Sequence, residues 1–252
     1  MPKILVTNDD GVRSEGIHAL AGALKRLGEV TVVAPQVEAS AIGHALTLRR
    51  PLRMEQVGEC VYEVDGTPTD CVNIAVTQIY DPHAIKPDLV VSGINKGYNL
   101  GDDVTYSGTV AGALEGALLG IPSIAVSLER TGDSYDFSAA ALAAVRVAEL
   151  VLTQGLAART FLNMNVPSGR PKGMRSTFQA KRNHVTVVAE RLDPHNKPYY
   201  WIEEGEDAWE PHDRSDYQAV KDGYISVTPL HPDMTAYSVL REIEALLGST
   251  GS

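Results

Sequence analysis

Apolar runs of strand length alternate with apolar positions at helical spacing along the first two-thirds of the chain. Lys3-Ile4-Leu5-Val6-Thr7 ends abruptly in Asn8-Asp9-Asp10-Gly11, the pattern of a strand buried on both faces that breaks into a polar turn. Ile17, Leu20, Ala21, Leu24 and Leu27 then recur at helical intervals up to Gly28, which predicts an amphipathic helix over 15–27. Glu29–Pro35, around Val30, Val32 and Val33, predicts a second strand, so the opening is a βαβ unit and implies a parallel sheet. Further buried strands are predicted over 87–93, 121–127 and 160–166, with helices over 68–80, 106–117 and 137–152 between them.

The pattern changes twice. Short segments of polar alternation at 45–50, 52–57 and 60–64 predict antiparallel strands inserted into the parallel framework. After 166 the chain grows richer in charge, aromatics and turns: a hairpin is predicted with arms 185–189 and 199–203, then a strand over 224–228 and a helix over 235–247 with Leu240, Ile243, Leu246 and Leu247 on its apolar face. The expected fold class is α/β, a doubly wound, mostly parallel core over 1–166 with a β insertion near 45–65, followed by a C-terminal extension over 167–252. Tyr199, Tyr200 and Trp201 on a free hairpin would invite aggregation, which pairing with another subunit would remove.

The formal net charge of −10 disfavours nucleic-acid polymers and anionic membranes as partners and leaves a small anionic substrate in need of a local cation. Cys60 and Cys71 lack zinc-ligand spacing and read as reduced thiols. No apolar stretch approaches transmembrane length, and Met1-Pro2-Lys3 leads straight into a strand without a signal-peptide pattern, so a cytoplasmic location is expected.

In open α/β sheets ligands bind beyond the carboxyl ends of the strands. Asn8, Asp9 and Asp10 follow the first strand, Ser40 the second and Asn95 the third, and Ser107 to Thr109 open a helix rich in small residues. Two carboxylates, a hydroxyl and an amide oxygen make an all-oxygen site for a hard divalent cation, with positions left for water and substrate. The adjacent helix N-terminus suits phosphate, although Ser107 or Thr109 serves equally well as an N-cap. Together they point to metal-assisted hydrolysis of a phosphate ester. By proximity, His44 and Lys96 are candidate substrate contacts.

Six blocks carry a resemblance to a known family. Val6-Thr7-Asn8-Asp9-Asp10-Gly11, Ser40-Ala41-Ile42-Gly43-His44, Gly66-Thr67-Pro68-Thr69-Asp70-Cys71-Val72, Val91-Ser92-Gly93-Ile94-Asn95-Lys96-Gly97, Tyr106-Ser107-Gly108-Thr109-Val110 and Ser226-Val227-Thr228-Pro229-Leu230 resemble, in order, the SurE (survival protein E) family of metal-dependent nucleotidases. The resemblance implies a Rossmann-like three-layer core and one divalent cation per subunit, Mg²⁺ or Mn²⁺, held by Asp9, Asp10, Ser40 and Asn95. It also implies a phosphate-binding region at Asn8, Gly43, Ser107, Gly108 and Thr109. The implied activity is release of phosphate from nucleoside 5′- and 3′-monophosphates by metal-activated water, with short-chain polyphosphate as a further substrate. The implied assembly is a homodimer or homotetramer that exchanges the C-terminal hairpin and helix.

Two positions depart from the family pattern. Ile42 stands where relatives commonly carry threonine or alanine, and Tyr106 where some carry histidine, which removes a proposed general acid. Tyrosine near its ordinary pKa of about 10 shuttles protons poorly. The nucleophile is open between water oriented by Asp9 or Asp10 and a carboxylate that would form an aspartyl-phosphate. A nucleotide- or metal-sensing module and an interaction protein working through its C-terminal part are the competing classes. Only the enzyme reading makes Asp9 indispensable for phosphate release.

Overall fold

A computed structural model describes residues 1–80, 86–132, 134–183, 186–204 and 208–248. The chain runs β1 (Lys3–Thr7), α1 (Glu15–Leu24), β2 (Glu29–Pro35), β3 (Met54–Gly58), β4 (Val61–Val64), α2 (Pro68–Ile74), β5 (Leu89–Lys96), α3 (Gly108–Leu118), β6 (Ser123–Leu128), α4 (Ser138–Gln154) and β7 (Phe161–Val166). It continues through β8 (Met174–Ser176), β9 (Arg182–Asn183), β10 (Thr186–Leu192), β11 (Pro198–Glu204), β12 (Ala208–Trp209), α5 (Asp216–Lys221), β13 (Ile225–Leu230) and α6 (Leu240–Gly248).

Among the described residues the main sheet has nine strands in the order β3-β4-β2-β1-β5-β6-β7-β13-β8. The run from β4 to β7 is parallel throughout, β3 lies antiparallel on β4, and β13 lies antiparallel on β7 with β8 parallel beyond it. Thus two strands from the part after 166 extend the same sheet.

Successive side chains of a strand point to opposite faces, and both faces are covered. Ile4 and Val6 of β1 belong to a buried cluster with Ile17, Leu20 and Leu24 of α1 and Ala144 and Ala148 of α4. Leu5, one residue away, packs with Cys71 and Val72 of α2. This three-layer, Rossmann-like arrangement is why the central strands read as continuous apolar runs.

Small residues let α3 lie close on the sheet. A Cβ on Gly116 would come within 2.3 Å of Ser123 Oγ, and one on Gly112 within 2.8 Å of Thr7 Cγ2. The contact at Thr7 brings the first turn of α3 to the carboxyl end of β1, where the acidic turn begins.

Three expectations are corrected. Residues 45–50 form no strand: the Thr47 N–H donates to Asp70 Oδ1 at 2.9 Å and Thr67 Oγ1 donates to the Ala45 carbonyl at 2.8 Å, so their backbone groups are taken by the start of α2 rather than by a neighbouring strand. The helix over 68–80 is α-helical only to Ile74 and continues as a π-helical stretch, Ala75–Ile79. The helix over 235–247 starts later, a 3₁₀ turn at Tyr237–Val239 preceding α6. Thr67 and Asp70 form a reciprocal capping box with Pro68 in the first turn, the sequence signature of a helix start.

Val185, at the edge of the predicted hairpin, lies outside the described residues. β10 and β11 form the rest of it, with Ala189 opposite Trp201. Val188, Trp201 and Ile202 are exposed, and so are Leu240, Ile243, Leu246 and Leu247 of α6. No helix of the described residues is long and apolar enough to cross a membrane.

Candidate active site

The turn after β1 is built by Asn8. Its side-chain Nδ2 donates to the Gly11 carbonyl at 3.0 Å and to Ser14 Oγ at 2.8 Å, and Ser14 is the N-cap of α1. Gly11 completes the turn at φ +91°, a region that glycine enters without steric penalty. Asn8 is wholly buried and its Oδ1 has no partner.

Asp9 is only 5% exposed. Its carboxylate accepts from the Thr109 hydroxyl and from the Thr109 backbone N–H, so the first turn of α3 holds it. Burial pushes the Asp9 carboxyl above its ordinary pKa, opposed by these Thr109 bonds. Asp10 is pushed up to about 6 by burial and by the neighbouring charge of Asp9, against a hydrogen bond from the Lys96 backbone and the Lys96 charge. Its Oδ2 is buried without a partner.

Other strand ends converge on this pair. The Ala39 N–H donates to the Asp9 carbonyl at 2.8 Å, which brings the loop after β2 across the end of β1. Ser40 Oγ donates to Glu38 Oε1 at 2.7 Å. At the end of β5, Asn95 Nδ2 donates to the Gly97 carbonyl at 2.9 Å, committing the amide nitrogen and leaving its oxygen as the acceptor end. Asp9, Asp10, Ser40, Asn95, Lys96 and Ser107 all line one cavity of about 1080 Å³.

Five sequence-predicted residues do not line it. Asn8 and Thr109 sit behind Asp9 as supports, and Gly108 packs so closely that a Cβ there would lie 2.7 Å from Asp9 Cβ. Gly43 donates its N–H to the Tyr106 carbonyl at 3.0 Å. His44 Nε2 lies 2.6 Å from Glu115 Oε2, which directs the ring to α3.

Sequence reading passed over Arg13, Arg130 and Tyr135, which line the same cavity. Arg13 pairs with Glu63 at 3.1 Å, and Lys96 Nζ stands 5.4 Å from the Tyr135 ring centroid. Arg13 stands two residues beyond Gly11, a cation beside the acidic turn that could have been noticed. Arg130 and Tyr135 follow β6 and had the same strand-end signal as Asn95.

The residues present fit a hard divalent cation. The donors are two carboxylates, a hydroxyl and an amide oxygen, the class such ions prefer, and a partnerless buried Asp10 oxygen beside a second buried carboxylate is only partly compensated by the Lys96 charge. Among the described residues no three His, Cys, Asp or Glu side chains gather as a metal cluster, so Ser40 and Asn95 would have to complete the set as neutral ligands.

The model of the family described as Survival protein SurE matches residues 4–186. The chain belongs to the SurE family. A curated relative from Geotalea daltonii, named 5′-nucleotidase SurE, is 51% identical over 239 residues, covering 94% of this chain and 95% of its own. One from Thermus thermophilus, named 5′-nucleotidase SurE 1, is 51% identical over 252 residues, covering 97% and 98%. The crystal structure of the SurE protein from Aquifex aeolicus superposes with a TM-score of 0.86 at 47% identity, covering 97% of this chain and 99% of that one. Ile42 and Tyr106 both carry exposed side chains.

Proposed function

We propose that this chain is a nucleotidase that hydrolyses nucleoside 5′-monophosphates to nucleoside and phosphate in the cavity at the carboxyl end of the sheet, with a divalent cation held by Asp9, Asp10, Ser40 and Asn95. The observation that carries this reading is the convergence of Asp9, Asp10, Ser40 and Asn95 on one cavity, and the names of the relatives support the reaction class. When bound, Mg²⁺ or Mn²⁺ supplies Lewis acidity to phosphoryl oxygen and to water and offsets the charge that develops in phosphoryl transfer.

The chain's own residues do the rest. Thr109 fixes Asp9, while Asp10 keeps an oxygen unpartnered with which to orient water. Lys96, Arg13 and Arg130 line the cavity against the carboxylates of Asp9, Asp10, Glu38 and Asp103, so a dianionic phosphate monoester depends on the bound cation to bring the site's charge into its favour. Ser107 brings the start of α3 to the cavity wall, where helix geometry favours an anion; Asn8, Gly43, Gly108 and Thr109 serve the phosphate region by shaping this wall. Cys60 and Cys71 are free thiols, in keeping with a reducing, cytoplasmic setting.

The experiment is phosphate release from a panel of 5′- and 3′-nucleoside monophosphates and short polyphosphate with Mn²⁺ or Mg²⁺ present. All 5′-monophosphates are expected to turn over with base preferences under about tenfold, since the residues that carry the reading serve the cation and the phosphate rather than a base. The 3′-monophosphates and short-chain polyphosphate are expected to turn over as further substrates. No turnover of any 5′-monophosphate would overturn the proposal.

The extension over 167–252 is proposed to serve assembly. Trp201, Ile202 and the α6 leucines are exposed apolar side chains on two elements, and apolar surface gathered into a patch marks an interaction site. Light scattering is expected to give a homodimer or homotetramer, and removal of residues 235–252 to lower the mass. A monomeric parent chain would contradict this.

A further inference from the structure

Glu115 lies in the last turn of α3, is 7% exposed, and does not line the cavity. Both its oxygens are used: Asn73 Nδ2 of α2 donates to Oε1 at 2.7 Å, and His44 Nε2 stands 2.6 Å from Oε2, where a ring N–H donates to the carboxylate. A carboxylate buried this far costs free energy unless it is paired. The helix around it presents alanine and glycine to its neighbours, so apolar packing alone does not call for glutamate here.

What Glu115 grips is the loop that carries Ser40. That loop touches the site through two backbone bonds, Ala39 N–H to the Asp9 carbonyl at 2.8 Å and Gly43 N–H to the Tyr106 carbonyl at 3.0 Å. Between them Ala41 turns at φ +54° and Gly43 at φ +60°, conformations that alanine adopts at a cost. His44 follows at once and is the side chain through which the loop reaches α3. The other end of the same helix holds Asp9 through Thr109.

We propose that the Glu115–His44 link is a positioning device that sets the Ser40 loop against Asp9, so that His44 acts on the cation through the backbone it orders and not by touching substrate. One helix thereby spaces two segments that carry cation ligands, Asp9 from its first turn and the Ser40 loop from its last. Groups that orient metal ligands without touching the ion commonly govern affinity in this way. The inference rests on the cation reading given above.

The test is Mn²⁺ binding to the chelator-stripped, full-length protein without nucleotide, by titration calorimetry, with thermal melting recorded alongside. H44A is expected to weaken Mn²⁺ binding about tenfold. H44Q, whose amide nitrogen reaches about as far as the ring Nε2, is expected to restore it to within about threefold. A purely structural role would lower the melting temperature and leave the Mn²⁺ affinity of the folded protein where it was. Parent-like affinity in folded H44A overturns the proposal, as does a folded H44Q that binds as poorly as H44A. If the parent binds no Mn²⁺, the cation reading falls and the link with it. Should H44A fail to fold, N73A, which slackens Glu115 from its other side, must weaken Mn²⁺ about threefold; unchanged affinity there overturns the proposal.

Discussion

Asp9→Asn is expected to remove phosphate release almost completely while leaving the protein folded. The asparagine keeps an oxygen for the Thr109 hydroxyl and the shape of the turn, but it loses the negative charge that a divalent cation needs from a group 5% exposed in the cavity wall. A Lewis acid contributes several kcal/mol to such a reaction, and each ~1.4 kcal/mol is tenfold in rate, so the loss is on the order of a thousandfold or more. Stability moves the other way. Burial raises the Asp9 pKa, and its charge helps raise that of Asp10. For each carboxyl the folded state binds its proton more tightly than the unfolded chain, so the cost to stability is absent at low pH, grows above the unfolded pKa, and is complete above the folded one, about 6 for Asp10. At neutral pH and without metal, D9N is therefore expected to melt no lower than the parent. A D9N protein that melts well below the parent would show Asp9 to be a structural group, and its low activity would then say nothing about the cation.

Gly108→Ala is the second large expectation. Gly108 opens α3, and a Cβ there would stand 2.7 Å from Asp9 Cβ and 3.0 Å from Asp9 Oδ2. The first of these atoms belongs to the stem of a residue fixed by its own strand end, so it has little room to give way. Either α3 moves off the sheet, where Gly112 already lies against Thr7, or the Asp9 carboxylate swings away from its Thr109 anchor. Overpacking of this kind costs about 1–3 kcal/mol in stability. A displacement of about an ångström at a reacting centre costs roughly a hundredfold in rate, the expected loss in phosphate release. The contrast is Gly22→Ala on α1, where nothing stands within 4 Å of the added methyl; removing glycine from a helix interior there is expected to raise stability by about 0.5–1 kcal/mol. Urea denaturation of both variants checks the stability half, and a G108A enzyme with parent activity would mean that the close approach of α3 to Asp9 does not matter to the chemistry.

The parts of the fold that were legible in the sequence are those where one local rule decides the outcome. β1 and β2 could be read because strands covered on both faces have to be apolar throughout, and the start of α2 because Thr67, Pro68 and Asp70 make a complete capping signal. Residues 45–50 misled because their alternation matches a strand, while their backbone partners are Thr67 and Asp70, more than twenty residues away and invisible to a local pattern. The site followed the same division. Asp9, Asp10, Ser40 and Asn95 could be brought together because parallel strands deliver their carboxyl ends to one edge. The place of His44 could not, since its partner Glu115 is 71 residues distant and no spacing rule joins a loop to the last turn of a helix. Thr109 reads as a helix-start hydroxyl, and only the tertiary contact shows it spent on Asp9.

A divalent cation at Asp9, Asp10, Ser40 and Asn95 is proposed to enable this chain to release phosphate from nucleoside 5′-monophosphates. The most direct test is phosphate release from AMP and GMP by chelator-stripped protein, before and after Mn²⁺ or Mg²⁺ is returned, with D9N carried through the same steps. Release is expected to be negligible without metal, to recover on its return, and not to recover in D9N. Metal-independent release, or recovery in D9N equal to that of the parent, would contradict the proposal.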